Sequence, residues 1–319
     1  MNLGGGLLTE IFQQENKKTK CIACKKPAIV NIMNPFCKEC FIKHYERRVE
    51  NLIKRHKLVR KGDKILVAVS GGKDSLSCAN VLSKLREKFD FELGVLHIDV
   101  GIPECTNERT LNVVEGFCRE RDITFHFYDL SGFLGGTTAE VAKVTRRPLC
   151  SLCGMLKRYV FNRFARENGY NKIATGHCAD DVTRFFLKNW ISRDFLWISK
   201  LKPITVSDHP KVVTRIRPLY EMLEAENLAY IQIQQILIAG CSRCSYFLRR
   251  DKWFDILRLI DEHKKDFKFN FVKALEVAEI SSKEKRDFGE CSNCGEPTDG
   301  DVCAVCRVKE RYNRIKLSV

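Results

Sequence analysis

Residues 64–75 read KILVAVSGGKDS, and this stretch decides the fold. Residues 65–69 are apolar and mostly β-branched, as in a strand buried in a parallel sheet. Gly71 and Gly72 then allow a tight backbone turn. A helix face follows, because Cys78, Leu82, Leu85 and Phe89 recur at helical spacing. A strand that enters a helix through paired glycines presents free N–H groups to an anion, so we predict a phosphate-binding loop.

The chain continues with alternating strands and helices. Apolar runs predict strands over residues 91–99, 123–130 and 172–175, and periodic segments predict helices over residues 107–121, 150–168 and 180–191. Gly169 follows the second of these helices as its terminator. The pattern predicts an α/β fold with a doubly wound parallel sheet and ligands at the carboxyl ends of the strands.

Three further segments are assigned on composition. Residues 221–280 are mostly helical in pattern, and residues 307–316 form a basic helix. Residues 131–147 contain Gly132, Gly135 and Gly136, and we expect a flexible loop that gates the site.

Sixteen cysteines are present, and twelve of them form six C-x-x-C pairs. The first residues do not have the pattern of a secretory signal, so we expect a reducing, cytoplasmic compartment in which paired cysteines hold metal. The first two pairs and the last two pairs are each close enough in sequence for one tetrahedral zinc ion. Neither region has enough apolar residues to fold without metal. The predicted zinc ligands are Cys21, Cys24, Cys37, Cys40, Cys291, Cys294, Cys303 and Cys306.

The other cysteines divide into two groups. Cys78, Cys105, Cys118 and Cys178 stand alone in apolar or helical surroundings, which is typical of buried structural thiols. Cys150 and Cys153 fall on one face of a predicted helix, and a third central ligand must come from Cys241 or Cys244. Spacing leaves three possibilities open: a third zinc site, a redox pair, or an iron–sulfur cluster held by three cysteines.

The formal net charge is +15, which favours a polyanionic partner such as nucleic acid. No apolar run reaches the roughly 18 residues that a membrane span needs, so we expect no membrane association.

Three motifs resemble one enzyme family. SGGKDS (residues 70–75) resembles the signature of the PP-loop ATP pyrophosphatases, and it is not a Walker A sequence. TGHCADD (residues 175–181) resembles the second motif of their tRNA-modifying branch. CSLCGMLKR (residues 150–158) resembles the cysteine motif of the tRNA 2-thiouridine synthetases, which include wobble-uridine and T-loop thiolases with flanking zinc modules. The chain departs from the family at Val182-Thr183, usually Glu-Ala, and at the additional Cys244.

The resemblance implies an ATP-dependent sulfurtransferase. The C2 oxygen of a tRNA uridine is adenylated and then replaced by sulfur, with release of AMP and pyrophosphate; the anticodon wobble position is slightly favoured over the T-loop. Lys157 stabilises charge on the α-phosphate, and Asp181 orients the base or assists proton removal. ATP, with Mg²⁺, contacts Ala68, Val69, Ser70, Gly71, Gly72, Lys73, Asp74, Ser75, Ile98, Lys157 and Gly176.

The resemblance also favours a 4Fe–4S cluster on Cys150, Cys153 and Cys241 as the carrier of sulfur. It implies a small thiocarboxylate carrier protein or sulfide as sulfur donor, and a homodimer. The expected organisation is a disordered leader (1–20), an N-terminal zinc module (21–56), the PP-loop catalytic domain (57–220), its helical extension (221–288), and a C-terminal zinc module with a basic tail (289–319).

Simpler interpretations compete with these roles. Lys157 fits a solvated helix lysine, His177 fits a hydrogen-bonded loop histidine, and Asp181 fits an N-cap of its own helix, which Asp180 could supply equally well. Alternative functions are 2-thiocytidine or lysidine synthesis, or RNA binding by a zinc protein without catalysis.

Overall fold

The computed structural model describes residues 19–102, 105–206, 209–239, 252–278, 280 and 288–317. Cys241, Cys244 and most of the expected leader lie outside these residues. No helix in the described part is long and apolar enough to cross a membrane.

The strands of the described residues form one large sheet and two small hairpins. In chain order they are β1 (Val30–Asn31), β2 (Pro35–Phe36), β3 (Lys64–Ala68), β4 (Glu92–Asp99), β5 (Thr124–Asp129), β6 (Lys172–Thr175), β7 (Ile204–Thr205), β8 (Thr214–Ile216), β9 (Gly289–Glu290) and β10 (Pro297–Thr298).

The helices surround the large sheet. They are α1 (Lys38–His56), α2 (Lys73–Phe89), α3 (Glu108–Glu120), α4 (Leu130–Leu134), α5 (Thr138–Thr145), α6 (Leu149–Glu167), α7 (Ala179–Ile191), α8 (Phe195–Ser199), α9 (Glu224–Ile233), α10 (Trp253–His263), α11 (Phe267–Val277) and α12 (Ala304–Leu317).

The central sheet has the order β5-β4-β3-β6-β8-β7. All neighbouring strands are parallel except β7 and β8. The chain moves outward from β3 to β5 and then crosses to β6 on the other side of β3. The order therefore reverses between β3 and β6, and a crevice at their carboxyl ends is the place where such sheets bind ligands.

The two faces of the sheet bury two separate apolar clusters, as the doubly wound prediction requires. Ile65 and Val67 of β3 point into one cluster, and Leu66 points into the other. This alternation follows from the two-residue period of a strand. The predicted α/β fold is therefore confirmed.

Each four-cysteine region joins one of these clusters. On the first face, α1 contributes Phe41, Tyr45, Val49, Leu52 and Ile53 to the same core as β3. On the second face, Val305, Val308 and Tyr312 of α12 pack beside α5 and α6. The helices that carry the cysteines are thus part of the main core.

The prediction of a flexible loop over residues 131–147 is wrong, because this segment forms α4 and α5. Asp129 accepts hydrogen bonds from the backbone N–H groups of Ser131 and Gly132 at the start of α4. Thr137 and Glu140 form a reciprocal capping box at the start of α5. The glycines serve helix ends: Gly135 ends α4 with φ of +75°.

The C-terminal helix covers this segment. A Cβ on Gly136 would lie 2.2 Å from the hydroxyl of Tyr312, so only glycine allows α12 to approach. Lys316 Nζ donates to the Gly135 carbonyl at 3.0 Å, and the Lys309 ammonium lies 4.4 Å from the centre of the Phe133 ring.

The remaining predicted elements agree with the structure to within two residues. Gly169 follows α6 with φ of +74°, as expected of a terminator. The described parts of residues 221–280 contain α9, α10 and α11, and the basic segment 307–316 lies inside α12. The antiparallel strand β7 was not predicted, because two residues are too few to produce a pattern.

Candidate active site

The loop between β3 and α2 closes on itself through serine hydroxyls. Ser70 N donates to Ser75 Oγ at 3.2 Å, and Ser75 Oγ donates to the Gly72 carbonyl at 3.0 Å. Gly71 has φ of +80°, and a Cβ there would lie 2.9 Å from Thr110 Cγ2. Gly72 caps α2, whose first-turn amides have no acceptors within the helix. These amides provide the anion-binding end that the sequence predicts.

The two charged residues of the loop pair with each other. Lys73 Nζ lies 2.9 Å from Asp74 Oδ2 and 2.7 Å from Glu224 Oε1, and its side chain is buried. Two carboxylates thus neutralise the Lys73 charge, which reduces the attraction that we expected it to exert on phosphate. Burial raises the pKa of Asp74 to about 6, although Lys73 opposes the shift.

A buried chain of hydrogen bonds links Asp74 to α1, the helix that begins within the first four-cysteine group. Tyr45 on α1 donates to Asn227 Oδ1 at 2.6 Å, and Asn227 Nδ2 donates to Asp74 Oδ1 at 2.8 Å. Both Tyr45 and Asn227 are fully buried. No sequence motif indicated these contacts, because Tyr45 and Asn227 are 182 positions apart and Asn227 and Asp74 are 153 positions apart.

The loop after β6 lies directly against the phosphate loop. A Cβ on Gly176 would lie 2.6 Å from the Asp74 carbonyl oxygen and 2.8 Å from Ser75 N. Glycine is therefore required for this approach, whether or not it also contacts a nucleotide. The contact brings the segment that leads to Asp181 beside the start of α2.

The structure distinguishes the two aspartates that the sequence left equivalent. Asp180 Oδ2 accepts from the backbone N of Glu224 at 2.8 Å, and Asp180 Oδ1 lies 2.5 Å from Lys268 Nζ. Asp180 therefore anchors α9 and α11. Asp181 Oδ1 accepts from Arg184 at 3.1 Å, and its side chain is 28% exposed, whereas that of Asp180 is 13% exposed. Asp181 is the carboxylate with more access to a ligand, although it also receives the N–H of Cys178 at 3.5 Å.

The other predicted nucleotide contacts lie at the ends of β3 and β4. Ala68 ends β3, Val69 is buried, and Val69 N donates to Leu96 O at 3.0 Å. Ile98 is buried near the end of β4. His97 was not predicted: its Nδ1 donates to the Val69 carbonyl at 2.8 Å and so orients the loop.

Helix α6 carries Cys150, Cys153 and Lys157. Cys150 is exposed in the first turn, and Cys153 and Lys157 are half-buried further along. Burial of His97 is the main cause that lowers its pKa, and the nearby positive charge of Lys157 lowers it as well. Lys157 therefore lies near the carboxyl end of the sheet, and it is not a fully solvated helix lysine.

His177 fits its simpler interpretation. Its Nδ1 is 2.8 Å from Thr175 Oγ1, and its ring packs edge-on against Phe185. Burial lowers the pKa of His177 to about 4, so this side chain is neutral at physiological pH.

The terminal cysteines form two compact groups. In each group the four Sγ atoms lie within 4.8 Å of one another. Zinc–thiolate bonds of about 2.3 Å in a tetrahedron place sulfur atoms roughly 3.8 Å apart, so both groups fit zinc. The separations of 3.5 Å between Cys24 and Cys37 and 3.7 Å between Cys294 and Cys303 agree with this geometry.

One cysteine in each group favours the thiolate form, whereas the pKa of Cys37 and Cys303 is raised, chiefly by burial. Burial raises the pKa of Cys21 and Cys291, but hydrogen bonds from nearby backbone N–H groups outweigh it and lower each pKa to about 6. Thiolate is the form that binds metal.

The isolated cysteines mostly behave as predicted. Cys78, Cys118 and Cys178 are buried, whereas Cys105 is only half-buried because it lies in the turn before α3.

Comparison with known proteins identifies the family. A PP-loop domain model matches residues 42–238. The tRNA-5-methyluridine(54) 2-sulfurtransferase of Pyrococcus horikoshii is 36% identical over 301 residues, covering 90% of this chain and 93% of the relative. The enzyme of that name from Thermotoga maritima is 32% identical over 304 residues, which cover 93% of this chain and 98% of the relative.

A solved structure agrees with these relatives. The U34-tRNA thiolase NcsA of Methanococcus maripaludis, solved with its [4Fe-4S] cluster, superposes with a TM-score of 0.72. It is 30% identical, and the match covers 90% of this chain and 95% of that one. Together with the loop geometry, these likenesses show that the chain belongs to the PP-loop family of tRNA 2-sulfurtransferases.

Proposed function

We propose that this transferase thiolates the uridine at position 54 in the T-loop of tRNA. The sequence alone slightly favoured the wobble position. The relatives that act on position 54 are 32–36% identical, whereas the U34 thiolase is 30% identical. The observation that supports the reaction type is the approach of Gly176 to the phosphate loop. Asp181 is near the same loop, because its charge, in addition to burial, helps to raise the pKa of Asp74.

The proposed reaction begins with ATP on residues 70–75, its phosphates facing the first-turn amides of α2. The C2 oxygen of the uridine attacks the α-phosphate, and pyrophosphate leaves. Lys157 stabilises the negative charge that develops on the α-phosphate. Asp181 orients the base or accepts its proton. Sulfide then displaces AMP from C2, so that the C–O bond breaks as the C–S bond forms.

The proposed phosphate contacts are chiefly backbone N–H groups. Because Lys73 is neutralised by Asp74 and Glu224, Mg²⁺ is the natural counter-charge for the triphosphate. Asp74 is a carboxylate of this loop whose pKa is about 6, so it is mostly ionised at neutral pH and suited to a cation nearby.

We propose that Cys150 and Cys153 hold a 4Fe–4S cluster with Cys241, which lies outside the described residues. The exposed position of Cys150 in the first turn of α6 suits an anionic ligand, because the helix dipole stabilises negative charge there. When bound, such a cluster supplies an iron position without a protein ligand that can carry sulfide. The two terminal cysteine groups hold one structural zinc ion each.

The experiment uses anaerobically purified protein, ATP, Mg²⁺, sulfide and tRNA transcripts. One transcript is unchanged, one has cytidine in place of U54, and one has cytidine in place of U34. Nucleoside digestion and mass spectrometry should find 2-thiouridine in the first and third transcripts. Thiolation that is lost with U34 would assign the wobble position. AMP release without any thiolated nucleoside would contradict sulfur transfer to tRNA.

The sulfur donor and the oligomeric state extend this proposal. A small carrier protein with a C-terminal thiocarboxylate would replace free sulfide in the same assay. Light scattering of the purified chain would test the homodimer.

A further inference from the structure

Three arginines gather on one face of the sheet near the candidate site. Arg215 is in register with Ile173, so it lies on the face that α6 covers. Arg217 follows the end of β8 on the same side, at the edge where the phosphate loop also lies. Burial, together with the charges of Arg158 and Arg217, lowers the pKa of Arg215 to about 10. The Arg215 guanidinium is therefore close enough to those of Arg158 and Arg217 to be repelled by both.

No carboxylate in the described part of the chain lies within ion-pair distance of these three groups. Arg217 donates to two neutral acceptors, the Lys202 carbonyl and, at 3.0 Å, Thr205 Oγ1. The Arg158 guanidinium lies 5.3 Å from the centre of the Trp197 ring. Repulsion without a counter-charge costs stability, so this cluster indicates a site for an anion that the described residues do not provide.

Exposed aromatic rings lie next to this cluster. Trp197 on α8 is 41% exposed, and Trp190 and Phe195 are 50% and 40% exposed. The Lys200 ammonium lies 6.0 Å from the centre of the Trp197 ring. Three large rings in one exposed corner are more than scattered surface apolar residues, and such patches mark binding sites.

The arginine cluster includes a residue of α6, the helix that also carries Lys157. Arg158 is adjacent to Lys157, and its guanidinium lies 3.4 Å from the position of a Cβ on Gly154. Gly154 adjoins Cys153, and the Cys153 charge influences the Arg158 guanidinium. Arg158 therefore spans from the thiol end of α6 to Trp197.

We propose that Trp197 and the arginines Arg158, Arg215 and Arg217 bind one unstacked nucleotide of the substrate tRNA, next to the reacting uridine. The base stacks on the exposed indole, and its phosphate lies among the guanidinium groups. This inference rests on the proposed function, because it assigns the surface by which that function holds its RNA.

Charge favours RNA over a protein partner. Aromatic rings combined with arginines are the usual means of holding splayed single-stranded RNA. A second copy of this chain would also bring a net charge of +15, which opposes association through a surface rich in arginine.

The test measures the affinity of the full chain for labelled tRNA at several salt concentrations, together with its affinity for ATP. Trp197→Ala should weaken tRNA binding about tenfold, the usual effect of losing one base stack, and Trp197→Phe should retain most of the affinity. Arg158→Gln should reduce the slope of log affinity against log salt by about one, because one phosphate contact is lost. The affinity for ATP should not change in any of these variants.

Matched controls lie on the other half of the sheet. Phe127→Ala removes an aromatic ring that is 45% exposed on β5, and Arg119→Gln removes an exposed arginine of α3. Both should leave tRNA affinity unchanged. Arg158 is exposed and Trp197 lies in a short surface helix, so we expect folded variants, and Arg158→Gln provides the readout should Trp197→Ala not fold.

Two outcomes would overturn the inference. If Trp197→Ala and Arg158→Gln bind tRNA like the wild type, the surface does not hold RNA. If they bind tRNA normally but lose self-association in light scattering, the surface is an interface between copies. A wild-type chain that neither binds nor thiolates tRNA would instead refute the proposed function, so the two failures are distinguishable.

Discussion

Substitution of Gly176 by alanine tests whether the approach of the β6–α7 loop shapes the nucleotide site. The new Cβ would lie 2.6 Å from the Asp74 carbonyl oxygen, 2.7 Å from its carbonyl carbon and 2.8 Å from Ser75 N. These are backbone atoms, so no side chain can turn aside, and the two loops must separate. Overpacking of this kind costs about 1–3 kcal/mol.

The displaced atoms belong to the loop that binds phosphate, so the cost should appear in ATP affinity as well as in stability. If about 1.4 kcal/mol of this cost falls on binding, the Kd for ATP should rise roughly tenfold. Isothermal titration with a non-hydrolysable ATP analogue measures this, and thermal unfolding measures the change in stability.

Gly116→Ala is the matched control. Gly116 lies within α3, and a Cβ there would meet no atom within 4 Å. Alanine should therefore stabilise the chain by about 0.5–1 kcal/mol through better helix propensity, without an effect on ATP. The reasoning is refuted if Gly176→Ala binds the analogue as the wild type does and unfolds at the same temperature.

Four further predictions concern the phosphate loop, a buried ion pair and the two cysteine groups. Asn227→Leu removes the donor to Asp74 and leaves buried groups unpaired. It should therefore destabilise the chain by about 1–3 kcal/mol in chemical denaturation and weaken ATP binding. An ATP affinity equal to that of the wild type would exclude the coupling to Asp74. The pKa of Asp74 is raised to about 6, so the stability of the wild type relative to Asp74→Asn should fall as the pH rises from about 4 to about 6. Asp63 is buried but paired with Lys172, and its pKa is lowered. The stabilisation of the folded chain by Asp63, measured relative to Asp63→Asn, should therefore be lost only as the pH falls below about 4. Cys24→Ser and Cys294→Ser should each lower the zinc content from two ions per chain to one by elemental analysis, and two zinc ions retained in either variant would contradict the four-cysteine sites.

Much of the fold was accessible from the sequence because strong local patterns and tertiary requirements agree. The run over residues 64–75 has one stable solution, a buried strand that ends in a glycine turn before a helix, and β3 and α2 confirm it. The cysteine pairs were equally decisive, since their side-chain chemistry and spacing fit only a few structures.

The segment over residues 131–147 shows where local interpretation fails. Its glycines suggested mobility, but Gly135 ends a helix and Gly136 makes room for Tyr312, which is 176 positions away. The sequence does contain a pattern typical of a helix start, the capping pair Thr137 and Glu140. The prediction followed the glycine content of the segment instead.

The supporting residues of the site could not be predicted. Asn227, Glu224 and Tyr45 reach the phosphate loop only because α9 and α1 pack against α2. None lies in a motif, and their role depends on distances that only the folded chain defines. Asp180 and Asp181 are neighbours in sequence, and only the positions of Glu224 and Lys268 separate an anchoring carboxylate from a more accessible one.

The central claim is that ATP activation at residues 70–75 and sulfur transfer to tRNA occur at one site that includes Lys157. The most direct measurement quantifies AMP and 2-thiouridine together, in anaerobic reactions with ATP, sulfide and tRNA, for the wild type and for Lys157→Ala. Loss of one charge-stabilising group should lower both products about 10²–10³-fold, and the wild type should form them in equal amounts. Undiminished 2-thiouridine in Lys157→Ala, or thiolation without AMP in the wild type, would contradict the account.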